Sequence, residues 1–187
     1  MIVLLGDYSS VHYELSKALK SKGESVVLMS DGDAYKKIGC DIKLPSLRKS
    51  RYRLLNNALF AFRFFGFFGF FNYLKVLKKL RNIKDLDVVQ IINPVVIESL
   101  GALGNILLIR YLKRRAKVFC MCALGDDYKW VAACLNKKYK YSAMDRMNQE
   151  GILGLGRYLY MLKYVYSPLY RLLDSYARKK VNVIIPG

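Results

Sequence analysis

The chain has 187 residues, with 32 Lys and Arg against 14 Asp and Glu, a formal charge of +18, and an aromatic load of 15 Tyr and 9 Phe. That length fills one well-buried core and excludes two full domains. The charge calls for an anionic partner: a membrane surface, a phosphorylated ligand or nucleic acid. Nucleic acid is the weakest of these, because no zinc-finger, RNP or homeodomain pattern accompanies the charge.

The first predicted element is a strand over 2–5, followed by a polar turn at 6–10. A helix over 11–22 comes next, with Val11, Leu15, Ala18 and Leu19 recurring at three- and four-residue intervals. Ser9 or Ser10 can cap its start and Gly23 can end it. A second apolar run at 26–29 completes a β-α-β unit, which predicts an α/β fold: a Rossmann-like three-layer sandwich with a mostly parallel sheet. A right-handed crossover puts loop 6–10 at the carboxyl end of the first strand, where open α/β sheets bind ligands. Gly6, Asp7, Tyr8, Ser9 and Ser10 are therefore the first candidate site residues.

Asp31-Gly32-Asp33 reads as a turn, 34–38 as a short helical piece, and 42–44 as a brief apolar return closed by Pro45. Between 36 and 84 stand thirteen basic residues and one acid, Asp41. Within that stretch, 54–74 (LLNNALFAFRFFGFFGFFNYL) reads as helix-loop-helix. Its charge-free part, 64–74, would cover about 16 Å as a helix against a hydrocarbon core of about 30 Å, which excludes a spanning helix. Two readings of these aromatics stay open. They form the core of a crossover helix, with Gly66 and Gly69 allowing close approach to the sheet. Alternatively they dip into a membrane interface while Arg48, Lys49, Arg51, Arg53, Arg63, Lys75, Lys78 and Lys79 meet anionic headgroups at about 1 kcal/mol each. Either way, 48–84 is expected to act as a basic-aromatic segment of the single domain.

A strand is predicted over 87–92 with Asn93 after it, then a helix over 98–112, a strand over 116–123, and the loop Gly125-Asp126-Asp127-Tyr128. If this strand neighbours the first, the loop sits beside 6–10, because parallel strands present their following loops on one edge. The two carboxylates equally suit the amino end of a helix through 130–135. Gly151, Gly154 and Gly156 are read as breaking regular structure, and GILGLG is not the G-x-G-x-x-G of a dinucleotide loop. A helix from Ser167-Pro168 to Lys180 and a strand over 181–185 finish the chain. That strand runs straight into Pro186-Gly187, the pattern of a domain boundary, so a partner domain is expected beyond it.

Cys40, Cys120, Cys122 and Cys134 read as buried free thiols, and the single His, His12, leaves no set of zinc ligands. No signal-peptide pattern opens the chain, which points to a reducing cytosol.

Tyr13-Glu14-Leu15, Ala18-Leu19, Gly23 and Val26 reproduce the spacing YEL..AL...G..V. In this the chain resembles the amino-terminal half of bacterial GT-B fold glycosyltransferases of family 4 type, over the whole chain in layout and over this segment in motif. The resemblance implies an acceptor-binding domain, inactive alone, belonging to a longer two-domain enzyme. Such an enzyme transfers a sugar from a nucleotide-sugar donor to a lipid-linked saccharide acceptor in surface polysaccharide biosynthesis, as for capsules. It would work in the cytoplasm, peripherally on the inner face of the cell membrane. The resemblance implies no cofactor in this domain, the nucleotide sugar binding mainly in the carboxyl-terminal one. The family's HG.D loop maps onto Leu124-Gly125-Asp126-Asp127, with Leu124 in place of the His.

A transferase of this kind can use a base within hydrogen-bond reach of the attacking hydroxyl. The candidates are Asp127 first, then Asp7 and His12. Gly6, Tyr8, Ser9, Ser10, Asn93, Gly125, Asp126 and Tyr128 are the acceptor-binding candidates, as amide, hydroxyl and carboxylate partners for sugar hydroxyls and a ring for stacking. The alternative is a standalone basic α/β module that binds nucleic acid or membrane without catalysis. A dinucleotide oxidoreductase is disfavoured by the missing G-x-G-x-x-G after the first strand.

Overall fold

The apolar runs become strands β1 (Ile2–Leu5), β2 (Val26–Ser30), β3 (Ile42–Lys43), β4 (Val88–Ile91), β5 (Val118–Ala123) and β6 (Val183–Pro186) in the computed structural model, which describes residues 1–7, 9–32, 39–46, 51–149 and 151–186. They form one sheet in the order β3-β2-β1-β4-β5-β6, and every neighbouring pair is parallel. The α/β expectation holds: the protein is a Rossmann-like three-layer sandwich. Its strand order reverses between β1 and β4, the crevice where such sheets receive ligands.

Alternate residues of each strand separate into two layers. On one face Leu4, Val26 and Leu28 pack against Tyr13, Leu15 and Leu19 of helix α1 (Val11–Ser21). On the other, Val3, Leu5, Val89, Ile91, Phe119 and Met121 belong to the main core. That core is closed by Val76 and Leu80 of α3 (Phe70–Arg81), Leu108 and Leu112 of α4 (Gly101–Arg115), and Leu173 and Ala177 of α9 (Pro168–Lys180). Asp41 ties the small layer together, accepting from the Leu28 amide at 2.8 Å and from Lys20 at 2.8 Å on each oxygen.

Helix α2 (Arg53–Phe65) and α3 make a hairpin whose elbow, 66–69, is clamped to the start of α4. The Gly66 carbonyl accepts from the Ala102 and Leu103 amides at 3.0 and 3.3 Å, and the Gly69 amide donates to the Leu100 carbonyl at 3.0 Å. These bonds satisfy amides that a helix start leaves unpaired. The close approach needs glycine on both sides: a Cβ on Gly101 would collide with the Phe67 carbonyl, and one on Gly69 with the Ser99 carbonyl. The elbow glycines thus pack on α4, and not on the sheet as the sequence suggested.

Three further sequence expectations change. Gly151, at φ 70°, does break the chain between α6 (Ala143–Gln149) and α7 (Gly151–Met161), but Gly154 and Gly156 are helical, because seating Tyr158 and Met161 on the core outweighs about 1 kcal/mol per helical glycine. The helix expected from Glu98 begins as a 3₁₀ turn (Glu98–Leu100) and becomes α-helical at Gly101. Ser10 stands at the cap position of α1 but makes no side-chain cap bond. The helical piece expected at 34–38 lies outside the described residues.

Candidate functional site at the carboxyl edge of the sheet

Loop 6–10 follows β1 and turns sharply. Gly6 takes φ 76°, and a Cβ there would press on Ile92 and the Val96 carbonyl. Ser9 and Ser10 follow with φ 54° and 68°, left-handed values that cost a non-glycine residue about 1–2 kcal/mol each. Asp7, nearly fully buried, accepts from the His12 amide at 3.0 Å and the Tyr13 amide at 3.3 Å. Its carboxylate therefore sits where a Rossmann sheet would hold a pyrophosphate, against the positive end of α1. The chain's own anion fills that position and repels another.

His12 lies fully buried beneath this loop. Its Nδ1 donates to the Gly6 carbonyl at 2.6 Å, which fixes the tautomer and leaves Nε2 to accept from the Gln90 amide at 3.2 Å. Gln90 spends its other proton on Cys122 Sγ at 3.0 Å. Burial holds the imidazole pKa at about 4, with the Gly6 bond opposing. The structure places this base candidate as a neutral cross-strand link.

Asn93, 1% exposed, follows β4 between the two suspect loops. Its amide donates to the Asp126 carbonyl at 3.5 Å, while among the described residues its Oδ1 has no hydrogen-bond partner. Buried carbonyl oxygens are seldom left so, which makes this atom the unsatisfied polar group of the crevice. Gly125 takes φ 80° to turn the second loop, and Asp126 stands at its exposed tip.

Asp127 begins α5 (Tyr128–Leu135) as its N-cap: one oxygen accepts from the Trp130 amide at 2.8 Å, and the other from Arg178 of α9 at 2.8 Å. Arg178 also donates from Nε to both oxygens of Asp174 at 3.1 Å. Both Asp127 oxygens are thus bonded in a tie between α5 and α9. Tyr128 turns the same way, its ring 5.9 Å from the Arg171 guanidinium.

A second group gathers at the same edge. Lys163 of α8 (Lys163–Tyr166), with no exposed side-chain surface, donates to Glu98 Oε1 at 3.1 Å and Oε2 at 3.0 Å. The Tyr160 and Tyr164 hydroxyls add bonds to Glu98 at 2.9 and 3.2 Å. The rings of Tyr160, Tyr164 and Tyr170 lie 3.6, 4.7 and 5.1 Å from the ammonium. Burial alone would raise the Glu98 pKa, but the Lys163 charge and these bonds outweigh it and hold the carboxylate ionised. After β2, burial lifts Asp31 to about 7, the Asp31 and Glu98 backbone amides opposing and the Glu98 charge adding.

Between this edge and the α2–α3 hairpin lies a cleft of about 990 Å³. Lys43, Arg63, Lys75, Lys78 and Lys79 line it, and Glu98, already neutralised by Lys163, is the acid among its lining residues. α3 supplies the floor because Asn72, Lys75, Lys79 and Asn82 recur at helical spacing along one side, while Val76 and Leu80 point to the core. Arg63, Lys75, Lys78 and Lys79, expected at a membrane surface, are brought together around this cleft. Of the others, Arg51 is exposed, while Arg48, Lys49 and the Arg53 side chain lie outside the described residues, as does the acceptor-binding candidate Tyr8. The hairpin's remaining sides stay bare, Leu54 at 84% exposure and Phe71 at 77%.

The sequence reading missed Glu98, Lys163, Asp31 and Lys43. Tyr160, Lys163 and Tyr164, at i, i+3 and i+4, carried the one legible signal, a helix face able to surround a buried charge. Among the described residues no group of His, Cys, Asp and Glu could hold a metal ion, and no single helix is long and apolar enough to cross a membrane. The α2–α3 pair meets the length and composition but bends by 64°. Compared with known proteins, the chain matches no family model, no curated protein and no solved structure.

Proposed function

We propose that this chain is the acceptor-binding half of a glycosyltransferase that works at a membrane surface, adding a sugar from a nucleotide-sugar donor to a lipid-linked saccharide. The observation that carries the reading is the buried Asn93 Oδ1 at the β1/β4 crevice, unpartnered among the described residues, an acceptor that a hydroxyl entering the crevice would satisfy. Asp7 supports it by occupying the anion position at α1, which disfavours a dinucleotide there. The bare aromatics of the hairpin, flanked by cations, support attachment to an anionic interface.

Chemically, the crevice would orient an acceptor hydroxyl on Asn93, with Asp126 at the rim as a further partner. Asp7, Asp127 and His12 already bond to the protein, so their part is to shape the two loops. Deprotonation of the attacking hydroxyl then falls to a group brought with the donor, whose leaving phosphate can take that proton.

The test uses the full-length natural protein with radiolabelled nucleotide sugars and a membrane extract. Transfer of label into the organic-soluble fraction, abolished by Asn93→Ala, is the expected result. No transfer from any common nucleotide sugar would remove the reading. Indifference to anionic vesicles at low salt would remove its membrane half.

A further inference from the structure

We infer that the cleft beneath the α2–α3 hairpin is a stoichiometric site for one phosphate-bearing lipid, its headgroup among the cleft's lysines and its chain leaving over the hairpin's phenylalanines. The inference deepens the acceptor reading and rests on it for what the lipid carries, while the chemistry of the cleft stands alone.

Three observations converge. The cations arrive from separate elements, Lys43 from β3, Arg63 from α2, and Lys75, Lys78 and Lys79 from α3, so the fold concentrates charge inside a concavity. Coulomb attraction for a phosphate is strengthened in such a partly walled space. The potential opponent, Glu98, is already bonded by Lys163, Tyr160 and Tyr164. The opposite wall is apolar, made by Leu59, Phe62 and Phe67, with the two rings 5.5 Å apart. From that wall, apolar surface continues outward over Phe65, Phe70 and Phe71, each at least half exposed. A free phosphate or sugar phosphate has no use for that wall, and a neutral lipid has no use for the lysines. At about 990 Å³ the cleft is at the upper end of the roughly 300–1,000 Å³ usual for small-molecule sites.

The clamped elbow matters here. Because Gly66 is bonded to α4 and Gly69 to the turn just before it, the apolar wall and the cationic floor keep one relative position, and the cleft is present before any ligand arrives.

Isothermal titration of the full chain with dodecyl phosphate and dodecyl maltoside, both below their micellar concentrations, and with inorganic diphosphate tests the site. One dodecyl phosphate per chain is expected, bound about ten-fold or more tightly than either other probe. Lys75→Gln with Lys78→Gln, two exposed positions, should weaken it about ten-fold or more. Lys138→Gln with Lys140→Gln, an equal loss of charge elsewhere on the surface, should leave it within about two-fold. Diphosphate binding as tightly would reduce the cleft to an ion site, and maltoside binding as tightly would reduce it to a detergent patch. Equal losses in both double variants would reduce it to diffuse charge, and each of these three overturns the inference. Intact dodecyl phosphate binding by a protein that transfers no sugar would support the lipid site and remove the acceptor reading.

Discussion

Lys163 holds both oxygens of Glu98 from 65 residues further along the chain, and it does so with no side-chain surface left to water. The pair joins the turn after β4 to α8. Replacing Lys163 with Met should therefore destabilise the protein by about 3–5 kcal/mol, because Glu98 keeps its charge and loses its cation. Adding Glu98→Gln should recover part of that loss, and urea midpoints for the two singles and the double give the coupling directly.

Gly101 and Gly23 both have positive φ, 66° and 82°, yet their surroundings differ. A Cβ on Gly101 meets the Phe67 carbonyl, whereas nothing lies within 4 Å of one on Gly23. Gly101→Ala should cost about 3 kcal/mol or more, and Gly23→Ala only about 1–2 kcal/mol. Thermal melts of the two variants check the ordering. Equal losses would mean that the elbow is not clamped.

The buried His12 and the half-buried Asp31 give stability opposite dependences on pH. The folded His12 pKa, about 4, is below its unfolded value of 6.5, so the unfolded chain binds more protons between them. The His12 contribution is complete above about pH 6.5 and falls by about 3 kcal/mol as pH drops to 4. Asp31, raised from 3.8 to about 7, does the reverse: its contribution is complete below about pH 4 and is lost as pH rises through 7. In the wild type the slopes oppose each other. Urea midpoints from pH 4 to 7.5 should fall with rising pH in His12→Asn and climb in Asp31→Asn. Identical profiles in all three proteins would contradict both assignments.

Asp127 serves as cap and as ion-pair partner at once. Asp127→Asn keeps a capping oxygen and should lose about 1 kcal/mol, while Asp127→Ala removes the cap as well and should lose about 2 kcal/mol. Chemical denaturation separates the two. Equal losses in the two variants would show that the Arg178 pairing outweighs the cap.

The sheet was legible in the sequence because each strand is a short apolar run with a turn signal behind it, as at 2–5 before Gly6 and 118–123 before Gly125. Helix α1 was legible from spacing alone. The sheet-edge loops lie on the expected edge, since parallel strands present their following turns on one side, but β4 separates β1 from β5 and so stands between loop 6–10 and loop 125–128. The cleft was not legible. It needs Lys43 and Glu98, from separate connections, to meet a face of α3, and that meeting depends on the bend at Gly66–Gly69, whose partner glycine is 32 residues or more further along the chain at Gly101. Glu98 looked like an ordinary acid at a helix start, because sequence shows neither burial nor partner. Ser10 stands at a cap position, but Asp7, three residues earlier, bonds the amides of His12 and Tyr13.

The elbow also makes the hairpin a lever and not a flap. With Gly66 bonded to α4 and Gly69 bonded to the turn that carries Glu98, the angle between the aromatic arm and the sheet is fixed by backbone bonds. Whatever the arm rests on, it sets the tilt of the whole sandwich and the height at which the Asn93 crevice is held above that support, much as the foot of a stand fixes the position of its clamp.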